Sequence, residues 1–120
     1  QPREMTLIDP ALDATVEKAD LSILVRSETI DDLELGVAAD GKPVCGFQCR
    51  DGSKVNGDGR TSMNQDTQGR RYQKESVITL TFEKGENSSS LDVKDSHDLS
   101  FRLTPSLPKA DKLQFYLTSG

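Results

Sequence analysis

The chain has 120 residues, of which 33% are hydrophobic and 29% charged, with a formal net charge of −5. That length fits one domain, residues 1–120, which can bury a core without metals or a dense set of disulfides. The acidic balance argues against general nucleic-acid binding, and no run approaches the roughly 18 apolar residues of a membrane-spanning helix.

The charge is unevenly spread. Residues 1–49 carry four Lys/Arg against ten Asp/Glu, residues 50–74 six against three, and residues 75–120 five against seven. An acidic body with a basic insert permits a local contact with something acidic, including another copy of the chain. The sequence starts at Gln1, as a chain does after loss of a signal peptide, so the expectation is a secreted or cell-surface protein.

In chain order, period-two alternation predicts strands far more often than period 3.6 predicts helices. Leu12, Ala14 and Val16 alternate as a strand, although an Asp9 cap before Pro10 also fits a short helix. Leu21, Ile23 and Val25 make the next strand, and Leu33, Leu35 and Val37 the one after. Asp40-Gly41 supplies a two-residue hairpin turn, because both residues tolerate positive φ. Val44 to Cys49 is the return strand. After a long excursion, Ile78, Leu80 and Phe82 alternate with Val77, Thr79 and Thr81, a pattern suited to a half-buried pleated surface. Leu91 and Val93, then Leu99, Phe101 and Leu103, then Leu113, Phe115 and Leu117 complete the series. About seven short strands, with turn residues every 8–12 positions, predict an all-β, Ig-like two-sheet sandwich. In the last strand Leu113, Phe115 and Leu117 should face the core, with Gln114, Tyr116 and Thr118 turned outward or toward a neighbouring chain.

Residues 50–74 form a long polar loop with only Val55, Met63 and Tyr72 as large apolar or aromatic residues. Loops of this length inside a compact domain are commonly functional. Arg60, Arg70, Arg71, Tyr72 and Lys74 are the candidate partner-binding residues.

Chemistry-bearing patterns are few. Ser96-His97-Asp98 holds triad residue types, but adjacent residues on an extended chain point to opposite sides. Asp92, Asp95 and Asp98 are spaced by three; on a loop they could converge on a cation, but such carboxylates more often solvate a turn. Val55-Asn56-Gly57-Asp58-Gly59-Arg60 resembles the centre of a dockerin-type calcium loop. Asn56 and Asp58 match its third and fifth positions, but Lys54 and Gln65 stand where its outer acids belong. Asn87-Ser88-Ser89 is an N-glycosylation acceptor sequence. With no Trp and six aromatic residues in all, stacking platforms for sugars or single-stranded nucleic acid are scarce. No catalytic residue, metal site or cofactor is expected, and the partners are proteins.

Cys45 and Cys49 are too few for a zinc site with the single His97. One disulfide in an exported protein is the expectation, and two buried thiols the alternative. Geometry separates them. In a straight strand their Cα atoms lie about 13 Å apart, four steps of roughly 3.3 Å, whereas a disulfide needs at most about 7 Å.

In size and strand count the whole chain resembles subunits of chaperone–usher fimbriae, small exported Ig-like sandwiches that polymerise by strand donation. The resemblance implies a structural or adhesive subunit of a surface assembly. Leu12, Ala14 and Val16 would then be a donor segment, and Leu113, Phe115 and Leu117 strand-exchange residues. The charge content is high for such a subunit, Tyr116 is not penultimate, and Pro10 interrupts the donor. The alternative is a soluble extracytoplasmic binding module or assembly factor that docks a partner through the basic loop 50–74.

Overall fold

The computed structural model describes residues 4–8, 18–25, 33–57, 60–64, 75–84, 89–96, 100–104 and 112–119. These residues form ten strands: β1 (Glu4–Leu7), β2 (Lys18–Val25), β3 (Glu34–Ala39), β4 (Lys42–Gln48), β5 (Lys54–Asn56), β6 (Thr61–Ser62), β7 (Ser76–Lys84), β8 (Ser89–Asp95), β9 (Ser100–Leu103) and β10 (Leu113–Ser119). They build one six-stranded sheet in the order β1-β10-β3-β4-β5-β6 and one four-stranded sheet in the order β2-β7-β8-β9. Every pairing is antiparallel. The all-β, two-sheet plan is therefore as the alternation predicts. The strand count exceeds the seven expected, because β1, β5 and β6 are only four, three and two residues long, too short for alternation to mark them.

The core lies between the sheets. Leu35, Val37, Phe47, Cys49 and Phe115 from the six-stranded sheet meet Ile78, Leu80, Phe82, Leu91, Val93, Phe101 and Leu103 from the other. Phe47 and Phe101 join the layers edge to face, with centroids 5.3 Å apart and planes at 84°. In β7 the buried residues Ser76, Ile78, Leu80 and Phe82 alternate with more exposed ones, as a period of two requires.

Asp40 and Gly41 take φ of 50° and 83° between β3 and β4, the positive values of a two-residue hairpin turn. Asp40 also anchors the start of β10: its amide donates to the Lys112 carbonyl at 2.8 Å and its Oδ1 accepts from the Lys112 amide at 3.0 Å. Opposite, the register slips, so that Val37 pairs with Cys45 and Ala38 with Pro43. The bulge leaves Val44 unopposed at the residue after Pro43, which has no N–H to give to a ladder.

The expected Cys45–Cys49 disulfide is not formed, and both thiols are free. Cys45 lies within β4 and Cys49 just beyond its end, and the extended strand holds the two apart. Of the two alternatives geometry allowed, the straight strand is the one adopted. The Leu12-Ala14-Val16 segment lies outside the described residues.

Candidate functional site

Leu113, Phe115 and Leu117 pack against the core of their own chain, and β10 is paired on both sides, with β1 and with β3. The strand on which exchange was expected thus sits inside the sheet, with neither edge open.

The face of the six-stranded sheet turned away from this core is less ordinary. The registers align one row across all six strands: Leu7, Tyr116, Gly36, Gly46, Val55 and Thr61. Directly opposed residues share a face, so a tyrosine neighbours two glycines. Its ring fills the space they leave. A Cβ at Gly46 would overlap the Tyr116 hydroxyl and stand 2.8 Å from the Leu35 carbonyl oxygen. A Cβ at Gly36 would run into the Cys45 carbonyl oxygen and stand 2.8 Å from Tyr116 Cε1. The Tyr116 hydroxyl donates to Glu34 Oε2 at 2.7 Å.

Tyr116 is fully buried, and Glu34, Ala38, Gln114 and Thr118 on the same face are at most 8% exposed. The expectation that Gln114, Tyr116 and Thr118 face away from the core is met. These residues are nevertheless covered by their own chain rather than open to solvent or a neighbour. An alternating polar residue gives no sign of such a second buried layer.

Toward β6 the same sheet becomes exposed. Thr61 and Ser62 are exposed, and Met63, at 73%, is the most exposed large hydrophobic residue described. Within the excursion expected as a loop, β5 pairs with β4 and β6 pairs with β5. Asn56, which matches a ligand position of a calcium loop, instead pairs with Cys45 in this ladder, and its amide donates to the Arg60 carbonyl at 2.8 Å. The turn between β4 and β5 is fastened from the far end of the hairpin. The buried Asn64 side chain donates to the Gly52 carbonyl at 2.9 Å, Gly52 takes φ of 77°, and the Ser53 amide donates to Asp51 Oδ1 at 2.9 Å. Sequence reasoning missed Asn64, since nothing separates it from the polar residues around it.

Arg60 is exposed at the start of β6. Arg50 is exposed in the β4–β5 turn, with its Nε 3.7 Å from Asp51 Oδ2. The other expected partner residues, Arg70, Arg71, Tyr72 and Lys74, lie outside the described residues, as do His97 and Asp98. Ser96 is occupied structurally, its Oγ accepting from the Val77 amide at 3.1 Å. Asp92 is held by a two-pronged contact with Arg102, at 2.6 and 3.0 Å. That hydrogen bond keeps its carboxyl below the ordinary range. Among the described residues no three His, Cys, Asp or Glu side chains cluster as metal ligands, and no helix is long and apolar enough to cross a membrane.

No family model and no curated protein matches the chain. Solved structures do. Galectin-Ib of Xenopus laevis superposes with a TM-score of 0.57 at 15% identity, over 99% of this chain and 93% of the galectin. A toad ovary galectin in complex with thio-digalactose superposes with a TM-score of 0.58 at 10% identity, over 99% and 92%. At such identities the likeness shows architecture alone, a galectin-like jelly roll of two antiparallel sheets.

Proposed function

We propose that this protein is a non-enzymatic binding module that takes an acidic ligand, with an acidic saccharide as the first class to test, on the β4–β5–β6 end of its six-stranded sheet. The observation that carries this reading is the contrast along one face. The middle of the sheet at β10 and β3 is buried, whereas Thr61, Ser62 and Met63 at the β6 end are exposed, and the exposed Arg50 and Arg60 belong to the same β4–β5–β6 segment, within the one stretch of the chain that is net basic. An exposed apolar side chain within a basic stretch is a common form of interaction surface. The saccharide class is supported by the galectin-like architecture and by the thio-digalactose carried by the toad galectin. The acidic character is supported by the charge of this stretch. There is no Trp in the chain, and Tyr116, the tyrosine among the described residues, is buried, so among the described residues charge rather than ring stacking supplies the contact energy.

Calorimetric titration with a sulfated disaccharide, with neutral thio-digalactose and with an acidic peptide tests the reading. The sulfated sugar should bind, weaken as salt is raised, and bind at least about tenfold more weakly to the Arg50→Glu, Arg60→Glu double variant. Preference for thio-digalactose, insensitive to salt, would replace this with a neutral-sugar site. Preference for the peptide would make the module a protein binder.

A further inference from the structure

A cleft of about 260 Å³ opens where the ends of β4 and β5 face the end of β9. Its walls include Val44, Cys45, Lys54, Asn56, Leu103 and Thr104. The register explains why it is there. Lys54 pairs with Phe47, whose ring lies in the core against Phe101, so Lys54 occupies an inward-facing position where an apolar side chain would ordinarily continue the core. Cys45 faces the same way two pairs along, opposite Asn56. A half-buried lysine is tolerated there because the cleft opens to the surface. Among the described residues that line the cleft, Lys54 is the charged one, and its charge is the one an entering anion would meet. Val44 and Leu103 contribute apolar atoms to the lining, and Asn56 and Thr104 polar ones.

We propose that this cleft is a binding site for a small carboxylate with a short aliphatic tail, its charge met by the Lys54 ammonium and its tail lying between Val44 and Leu103. The cleft neighbours Arg60, whose carbonyl accepts from the Asn56 amide, but the proposal does not rest on the acidic-ligand reading. Inward-facing lysines also serve simply to keep sheet margins from pairing with other chains, and a lysine with only that role gives no selectivity to the cleft.

Cys45 on the wall provides a built-in reporter. Its sulfur displaces iodide from iodoacetate or from iodoacetamide: the S–C bond forms, the C–I bond breaks, and the thiol proton passes to solvent. The two reagents differ in charge, and iodoacetate is itself a small carboxylate. The ratio of their rates at Cys45, read by peptide mapping at about pH 9, is independent of the thiolate fraction because both reagents use the same thiolate. The ratio should fall by about tenfold in Lys54→Met, as expected for one unit charge acting across a partly solvated cleft, and should be retained in Lys54→Arg. Butyrate should slow alkylation by iodoacetamide in the wild type, and 1-butanol should not. If Lys54→Met fails to fold, the wild-type ratio decides by falling as salt is raised. A ratio unchanged by substitution or salt, equal protection by butanol, or a Cys45 that reacts only when the chain unfolds would each overturn the proposal.

Discussion

At position 46 the absence of a side chain is imposed from two strands away. The Tyr116 ring reaches across Gly36 to Gly46, so these three residues form one packing unit, with Glu34 fixing the hydroxyl. Gly46→Ala should destabilise the fold by about 1–3 kcal/mol, the usual cost of overpacking a filled site. Tyr116→Phe should cost about 1–3 kcal/mol by leaving a buried acceptor without its donor. Because the phenol oxygen is the atom that the new methyl would strike, the double variant should lose less than the sum of the two. A double-mutant cycle in urea measures that coupling, and strict additivity would show that ring and glycine do not touch.

The thiols act at the same scale. Burial pushes Cys45 from its ordinary 9.0 up to about 11, with Lys54 pulling it part of the way back, and burial aided by Glu34 raises Cys49 further. A raised pKa means that the folded state holds the proton more tightly. Its stabilising contribution is complete below about pH 9 and is lost as pH rises through the folded value. Between about pH 9 and 11 stability should fall by up to roughly 1.4 kcal/mol per pH unit for each thiol. Cys45→Ser should make the fall in urea midpoint shallower, and an unchanged slope would remove Cys45 from the effect.

At the scale of the strand, β10 shows what alternation can and cannot reveal. Its apolar set, Leu113, Phe115 and Leu117, announces the core face, and the structure puts it there. The same holds for β2, β3, β7 and β8, whose inward residues were legible one by one, because burying one face of a sheet leaves a period of two in the letters. The polar set of β10 announces exposure, and there the letters mislead. Gln114 is 5% exposed, so Gln114→Ala should cost about 1–3 kcal/mol rather than little. Phe115→Ala should cost about 3–5 kcal/mol. Denaturant melts should rank wild type above Gln114→Ala and Gln114→Ala above Phe115→Ala. A Gln114→Ala midpoint equal to wild type would mean that the outer layer contributes nothing to stability. The candidate site was legible only as a basic excursion. That it contains β5 and β6, and that Asn64 ties its base, depends on pairings between short polar segments whose residue types favour a loop equally well.

For the molecule as a whole, the least legible feature is which strand neighbours which. Alternation identifies a strand but carries no record of its partner. The sequence therefore supported two sheets and not the order β1-β10-β3-β4-β5-β6. That order has a consequence for how the protein is made. Strands β3 to β6 pair with their successors, as do β7 to β9, so both groups can form as soon as they leave the ribosome. The interior place between β1 and β3 stays vacant until β10, the last of the described strands, is synthesised. A nascent chain stopped before Leu113 keeps β3 as a bare sheet edge with Leu35 and Val37 lacking the cover of Phe115, and it holds β1 with nothing to pair to. Such late, long-range closure is slow and exposes the chain to aggregation. Chains arrested on the ribosome should gain protease resistance in one step, only after residue 119 has cleared the exit tunnel.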